Sequence, residues 1–286
     1  GSAGVSASPG RLSAMSTQQA ITPALQAWIA EQLSSGHDAA SVLEAMHSSG
    51  WQTAVAMAAL QECLQSESTE PLLPHVAITG NTVWAHDRSI RVVASMAQPQ
   101  VVILADVLSV EECEALMAEA EPALTRSETV QDVTGHGEVN EARTSQGMFF
   151  GRAQSPLIER IEARLAALLN WPTAQGEGLQ VLRYAPGAEY RPHHDYFDPE
   201  RPGTPAVLKR GGQRVGTLVI YLNTPQEGGA TAFPELGLNV HPMQGHAVFF
   251  SYAVPLPATR TLHGGAPVIR GEKWVATKWL RQHRFD

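Results

Sequence analysis

The feature that most constrains the fold is a pair of candidate metal ligands, His193 and Asp195, whose third partner lies far away in the sequence. Side chains two positions apart on a β-strand point to the same face, so both can bind one metal ion while His194 points away. His263 follows seventy positions after His193 and would complete a set of two histidines and one carboxylate. The third ligand would then come from a distant strand.

A set of two histidines and one carboxylate is typical of a catalytic metal. It occupies one face of an octahedron and leaves three positions open, as in non-haem Fe(II) oxygenases. Three protein ligands plus water also suit catalytic zinc. Ligand type alone therefore leaves iron, manganese and zinc open, and the choice between iron and zinc depends on whether a chelating acid binds nearby.

Lys273 indicates such an acid. It begins a strand that is otherwise apolar enough to be buried, and a buried ammonium group is unfavourable unless an anion pairs with it. The 5-carboxylate of 2-oxoglutarate would be a suitable partner, with the opposite end of the molecule chelating the metal. Tyr184 and Thr217 lie on predicted core strands and could hydrogen-bond the same carboxylate. The alternative is that Lys273 is an exposed residue at the strand end.

Composition excludes several classes of protein. The 286 residues carry a net charge of −8, which argues against a general nucleic-acid-binding protein. No apolar run is long enough to cross a membrane. The two cysteines, Cys63 and Cys113, indicate no disulfide framework and favour a cytoplasmic location.

The chain divides into four segments. We expect residues 1–14 to be a remnant of an expression vector ahead of a natural start at Met15. Residues 15–66 show helical apolar spacing and predict a small helical unit, which either packs as an appendage or binds a partner. Residues 67–100 predict a linker followed by short strands, and residues 101–286 form the main domain.

The main domain is predicted to have an α+β fold. Ser109 is a candidate N-cap for one helix, a second helix covers residues 156–169, and residues 129–141 have the composition of a mobile loop. Several antiparallel strands in two sheets, with helices outside, would place the ligands inside a barrel-like sandwich. The main predicted strands cover residues 179–184, 215–222, 247–252 and 273–280.

An ordered series of short motifs makes a family resemblance specific. The segment from about Val101 to Arg281 resembles the prolyl 4-hydroxylase family of Fe(II)/2-oxoglutarate-dependent dioxygenases. The matching pieces are Leu179–Tyr184, Tyr190–Phe197, Gly211–Arg214, Tyr221–Leu222, Glu227–Thr231, His263–Val268 and Gly271–Trp274.

The resemblance implies a double-stranded β-helix, or jelly roll, with flanking helices. It implies Fe(II), 2-oxoglutarate and O2 as cofactors, with ascorbate as the reductant. The expected reaction decarboxylates 2-oxoglutarate to succinate and CO2 and hydroxylates a prolyl residue at its 4-position in a peptide or protein. The implied iron ligands are His193, Asp195 and His263, and the implied 2-oxoglutarate residues are Lys273, Tyr184 and Thr217.

The resemblance also suggests substrate-binding residues, namely Arg143, Ser145 and Trp279, and residues 198–212 are a second candidate lid. Two alternatives stay open on the residues. The same iron chemistry could act on a free amino acid or small metabolite, or the chain could be a partner-binding protein with a non-catalytic metal site. The loops around Arg143 and Pro202 favour a polymeric substrate.

Overall fold

The computed structural model describes residues 19–35, 37–67, 73–126, 129–130, 137–138 and 144–286. These residues form two compact units that divide between positions 72 and 73. The expected vector remnant and Arg143 lie outside the described residues, as does most of the predicted loop 129–141. No helix in the described ranges is long and apolar enough to cross a bilayer.

The first unit contains three helices, as the apolar spacing predicts. They are α1 (Pro23–Ser34), α2 (Ala39–Ser48) and α3 (Thr53–Glu67). Asp38 is the N-cap of α2, because its carboxylate accepts a hydrogen bond of 2.7 Å from the backbone N–H of Ser41. One residue set from all three helices forms the core of this unit: Leu25, Ile29, Val42, Met46, Ala56, Ala59, Leu60 and Cys63.

The second unit is built mainly from antiparallel strands. Its helices are α4 (Val110–Ala120), α5 (Pro156–Leu169) and α6 (Thr204–Leu208). Its strands are β1 (Thr82–Ala85), β2 (Arg88–Met96), β3 (Val101–Ala105), β4 (Thr125–Arg126), β5 (Thr129–Val130), β6 (Gly137–Glu138), β7 (Gln146–Phe149), β8 (Gln180–Tyr184), β9 (Tyr190–His193), β10 (Arg214–Tyr221), β11 (Glu227–Gly228), β12 (Thr231–Phe233), β13 (Leu238–Val240), β14 (Ala247–Ser251), β15 (His263–Gly265), β16 (Val268–Arg270) and β17 (Lys273–Arg281).

Two sheets dominate the second unit. The larger has nine strands in the order β1-β2-β3-β14-β10-β17-β8-β7-β4, and the smaller has four in the order β13-β12-β15-β9. The pairs β11–β16 and β5–β6 form two further small sheets. This arrangement is the predicted α+β jelly roll with flanking helices. The short strands predicted within residues 67–100 lie at β1 and β2 and extend the large sheet.

The second unit has two apolar cores. One contains residues of both main sheets, including Leu182, Phe233 and Phe250, so it lies between the sheets. The other joins α4 and α5 to the large sheet, through residues such as Leu116 and Leu165. The metal-binding candidates therefore face a cavity in the sandwich, while the helices support the large sheet from its other side.

A buried charge cluster fixes these helices. Arg164 of α5 is fully buried and donates two hydrogen bonds of 2.8 Å to Asp87, which follows β1. It donates two more of 2.7 Å to Glu112 of α4. Glu112 also completes the predicted capping box with Ser109. One guanidinium group thus joins α5, α4 and the β1–β2 turn.

Candidate active site

Strands β9 and β15 bring the distant ligands together. His263 pairs directly with His193 in the antiparallel register of these strands, and their ring centroids are 4.5 Å apart. Gly264 makes the close approach possible, since a Cβ atom there would lie 2.7 Å from the backbone oxygen of Tyr190. The third ligand thus comes from a distant strand, as predicted, and that strand pairs directly with the one that carries His193.

His193, Asp195 and His263 form a single cluster whose potential ligand atoms all lie within 4.8 Å of one another. His193 Nε2 is 3.2 Å from Asp195 Oδ1, and His263 Nε2 is 3.4 Å from Oδ2. Each histidine has its Nδ1 atom 2.9 Å from the backbone oxygen two residues earlier. A proton on Nδ1 that is donated to this oxygen leaves both Nε2 atoms free to bind a metal.

The protonation states favour metal binding. Burial and the neighbouring His263 lower the pKa of His193, which keeps its imidazole neutral. Burial alone would raise the pKa of Asp195, but His263 and His193 hold it well below its usual range. Burial opposes the charged form of His263, yet the neighbouring Asp195 raises the pKa of His263 overall. A metal ion that binds His263 therefore displaces the proton from its Nε2 atom.

Thr217 has a different partner from the one predicted. Its hydroxyl donates a hydrogen bond of 2.7 Å to Asp195 Oδ2, so its single proton is not available for a 2-oxoglutarate carboxylate. Tyr252, which sequence reasoning missed, has its hydroxyl 2.9 Å from Thr217 Oγ1. Sequence reasoning missed both contacts because strand alternation does not reveal how deep Thr217 lies in the sandwich.

Lys273 lies in the same cavity as the metal-binding candidates. It is 4% exposed, so the alternative of a surface lysine is wrong. Its Nζ atom is 5.4 Å from the ring centroid of Tyr184 and 5.8 Å from that of Tyr221. No carboxylate in the described part of the chain pairs with it, and burial lowers its pKa to about 8. A buried ammonium group without such a partner is suited to bind an anionic ligand.

Thr231 is placed where Thr217 was expected to act. Its Oγ1 atom accepts a hydrogen bond of 2.7 Å from the buried hydroxyl of Tyr221, which leaves its own proton for another acceptor. Thr231 lines the cavity with Lys273. The motif Glu227–Thr231 was among the matching pieces in the sequence, but it did not indicate that Thr231, rather than Thr217, has a free hydroxyl proton in the cavity.

The predicted substrate-binding residues lie in different environments. Trp279 lines the cavity, but its Nε1 atom donates to Asp195 Oδ2 at 3.0 Å. Ser145 is fully buried, which favours a supporting role over direct contact with a peptide. Arg143 lies outside the described residues, so its role stays a prediction. Phe149, 53% exposed, has its ring centroid 6.3 Å from that of Trp279 and presents a further aromatic surface.

Arg214 supports the indole of Trp279 from behind. Its guanidinium carbon is 4.0 Å from the centroid of that ring, and Glu177 binds the guanidinium through contacts of 2.7 and 2.9 Å. Gln213 bonds both the N–H and the oxygen of Phe197 at 2.7 Å, which closes the base of segment 198–212. Gln213 and Arg214 both belong to the Gly211–Arg214 motif of the sequence. The lid role of this segment stays a prediction.

Comparison with known proteins agrees with this geometry. A model of the 2OG-Fe(II) oxygenase superfamily matches residues 179–281. Prolyl 4-hydroxylase 1 of Arabidopsis thaliana is 43% identical over 202 residues, which are 64% of this chain and 69% of that protein.

The chain belongs to the prolyl 4-hydroxylase family. It is thus a 2-oxoglutarate-dependent dioxygenase, as the ordered motifs predicted. Another family member, prolyl 4-hydroxylase 5 of A. thaliana, is 37% identical over 209 residues, 66% of this chain and 70% of that protein. A viral collagen prolyl hydroxylase from Paramecium Bursaria Chlorella virus-1, solved as its 2-oxoglutarate complex, is 30% identical. Its TM-score is 0.48, over 63% of this chain and 95% of the viral one.

The residues fit the cofactors that the prolyl 4-hydroxylase family implies. The 3.2 Å between His193 Nε2 and Asp195 Oδ1 is close to the distance of about 3 Å between adjacent ligands of an octahedron with bonds of ~2.1 Å. Nitrogen and carboxylate donors suit Fe(II). Lys273 and Thr231 line the same cavity and would supply a cation and a hydroxyl donor for the far carboxylate of 2-oxoglutarate.

Proposed function

We propose that this protein hydroxylates a prolyl residue at its 4-position in a peptide or protein. The observation that carries the proposal is the buried Lys273, which pairs with no carboxylate of the described residues and lies in one cavity with His193, Asp195 and His263. A structural metal site has no use for a buried cation beside it. An acid that chelates the metal while its far carboxylate binds Lys273 accounts for both features.

His193, Asp195 and His263 would hold Fe(II), and Lys273 would fix the far end of 2-oxoglutarate. When bound, these cofactors react with O2 to supply the oxidation that places oxygen on an unactivated C–H bond. Thr231 would donate to the same far carboxylate, held in position by the Tyr221 hydroxyl. The chain itself contributes orientation, charge compensation and the exclusion of water.

The mouth of the cavity supports a proline-containing substrate. Trp279 lines the cavity, and the ring centroid of the exposed Phe149 lies 6.3 Å from that of Trp279, so this side of the cavity is aromatic, and proline rings pack well on aromatic faces. The relatives named above are prolyl 4-hydroxylases and a collagen prolyl hydroxylase. Arg143 would bind the peptide backbone, and Ser145 would support the chain beside it.

Two accompanying assignments are proposals of the same kind. Ascorbate would act as the reductant that returns the iron to Fe(II) after unproductive turnover. A cytoplasmic location is supported by the presence of only two cysteines in 286 residues. The first unit, residues 15–66, would be either a packing appendage or the binding site of a partner.

The test is succinate formation from 2-oxoglutarate with Fe(II) and ascorbate. Proline-containing peptides, free proline and no substrate are compared, with His193→Ala as the inactive control. Peptide-stimulated turnover and a gain of one oxygen mass on proline are the expected results. Turnover with free proline or a small metabolite alone would overturn the peptide assignment. No turnover with any substrate would favour a binding protein.

A further inference from the structure

One oxygen of the Asp195 carboxylate is fully occupied by protein donors. Oδ2 accepts a hydrogen bond of 2.7 Å from the Thr217 hydroxyl and one of 3.0 Å from Trp279 Nε1. Thr217 and Trp279 are directly paired residues of β10 and β17, so the sheet register brings both donors to the same atom. The other oxygen, Oδ1, lies 3.2 Å from His193 Nε2 and has no Thr or Trp donor among the described residues, whereas His263 Nε2 lies 3.4 Å from the already bonded Oδ2.

A third residue extends this arrangement. The Tyr252 hydroxyl lies 2.9 Å from Thr217 Oγ1, and both side chains are buried. An ionised carboxylate only accepts hydrogen bonds, so the single Thr217 proton points to Asp195 and the Tyr252 proton must point to Thr217. Burial and the nearby Asp195 raise the pKa of Tyr252 well above its usual range, so the phenol keeps its proton.

We propose that Tyr252 is a positioning residue which, through Thr217, holds Asp195 as a metal ligand that uses Oδ1 alone. The inference rests on the proposed function for the identity of the metal. A carboxylate whose second oxygen is free can rotate and bind a cation through both oxygens. Such rotation would fill one of the three positions that must stay open for 2-oxoglutarate and O2. The chain from Tyr252 to Asp195 prevents it.

The experiment measures binding of Co(II) alone, by calorimetry and by the visible absorption spectrum of the bound ion. Tyr252→Phe removes only the hydroxyl, and Thr217→Val removes the relay at nearly constant volume. Thr217→Ser keeps the hydroxyl and should restore binding. Tyr196→Phe is the matched control, because this buried ring lies 6.1 Å from that of Tyr252 and its hydroxyl has no hydrogen-bond partner among residues 144–286.

We expect Tyr252→Phe and Thr217→Val to weaken Co(II) binding roughly ten- to hundred-fold, the usual effect of losing a residue that supports a metal ligand. Both should also change the absorption spectrum, which reports the number and symmetry of ligands. Thr217→Ser and Tyr196→Phe should resemble the wild-type protein in both measurements. Thermal unfolding of the metal-free variants, compared with Tyr196→Phe, separates this effect from general destabilisation.

Wild-type affinity and an unchanged spectrum in Tyr252→Phe would show that this residue only packs, and would overturn the inference while leaving the proposed function intact. An equal loss in Tyr196→Phe would overturn it too. A wild-type protein that fails to bind Co(II) would instead remove the metal site, and the proposed function with it.

Discussion

At the scale of single residues, Lys273 is a charge that the folded protein stabilises poorly by itself. Burial lowers its pKa from the 10.5 of an ordinary lysine to about 8. This difference corresponds to about 3 kcal/mol of unfavourable free energy in the charged form. Such a cost is expected at a binding site, where the ligand supplies the missing anion.

Replacing this lysine separates stability from function. Lys273→Met should stabilise the protein without ligands at neutral pH, by up to about 3 kcal/mol, because it removes a buried unpaired charge. It should abolish 2-oxoglutarate binding. Chemical denaturation and calorimetric titration measure the two effects. Lower stability in the variant would mean that the ammonium group has a partner within the fold.

The same lysine predicts a pH dependence. Its folded pKa is lower than its unfolded one, so the stability of the ligand-free protein should rise with pH between about 8 and 10.5, as the buried group loses its charge. Binding of 2-oxoglutarate should weaken by about tenfold per pH unit above 8, because it requires the ammonium form.

Equilibrium binding to the Mn(II)-loaded protein between roughly pH 7 and 9 tests this dependence. Lys273→Arg is the control, since a guanidinium group stays charged throughout this range. The slope should be absent from the arginine variant. If the wild type and the variant show the same slope, the titrating group is elsewhere.

Sequence reasoning identified the residues with distinctive chemistry and misjudged those whose role depends on depth. His193, Asp195 and His263 follow from residue type and spacing, although β9 ends at His193 and Asp195 lies just beyond the strand. Lys273 follows from a charge in an apolar strand. Thr217 was given the wrong partner because alternation indicates a face of the sheet but not which neighbour a hydroxyl reaches. The pairing of Thr217 with Trp279 is a property of strand register.

At the scale of elements, the contact between β9 and β15 sets the distance between the two histidines. Gly264→Ala places a methyl group within 2.7 Å of the Tyr190 oxygen and 3.0 Å of the Pro192 nitrogen, both backbone atoms. The strands must separate, so the metal affinity should fall by at least tenfold. Calorimetric titration with Co(II) measures it.

Gly80→Ala is the matched control for this change, because a Cβ atom at Gly80 meets nothing within 4 Å. It should bind Co(II) like the wild type. Normal affinity in Gly264→Ala would mean that the two strands can shift without disturbing the ligands.

The buried cluster around Arg164 should matter for stability and not for the metal site. Arg164→Met removes four hydrogen bonds to Glu112 and Asp87 and leaves them only the half-exposed Arg160 as an ion-pair partner, at 3.4 and 4.0 Å. Removal of one partner from a buried ion pair usually costs about 3–5 kcal/mol. Arg91→Met removes an ion pair with Asp106 whose side chains are 59% and 44% exposed, and should cost less than about 1 kcal/mol. Denaturant unfolding measures both changes.

An equally small loss of unfolding free energy in both arginine variants would show that the buried cluster stabilises the fold no more than an exposed ion pair does. Co(II) affinity should be unchanged in each of them, because neither arginine contacts the cavity.

Helices with clear caps were the most predictable elements. Ser109 and the glutamate three positions later placed the start of α4 correctly, and the apolar spacing of residues 156–169 matched α5. The strands of residues 82–96 were expected only as short pieces after a linker. Their place in the large sheet depends on pairing with β3, which has no local signature.

At the scale of the whole molecule, the two units have separate apolar cores, and every residue of the candidate site belongs to the second. Because each unit has its own core, we expect residues 73–286 to function without residues 1–72. The affinities for Fe(II) and 2-oxoglutarate and the turnover rate of a short peptide should stay within about twofold of those of the full chain. Succinate release measures the turnover.

A whole protein substrate distinguishes the two readings of the first unit. Lost turnover of the protein substrate, with retained turnover of the peptide, would support partner binding by residues 15–66. Loss of peptide turnover would mean that the second unit depends on the first.

The order of the strands lay beyond sequence reasoning, because it is decided by contacts between residues far apart in the chain. Alternating and apolar stretches predicted antiparallel strands in two sheets, and the family resemblance implied the jelly roll. They did not predict that β17, the last strand in sequence, lies between β10 and β8 in the centre of the large sheet.

That central position has a consequence during synthesis on the ribosome. Until residues 273–281 emerge, β8 and β10 each present an open edge, and the nascent chain has neither Lys273 nor a closed sheet. We therefore expect a prematurely terminated product to lack 2-oxoglutarate binding. It would instead expose unpaired strands that aggregate or recruit chaperones.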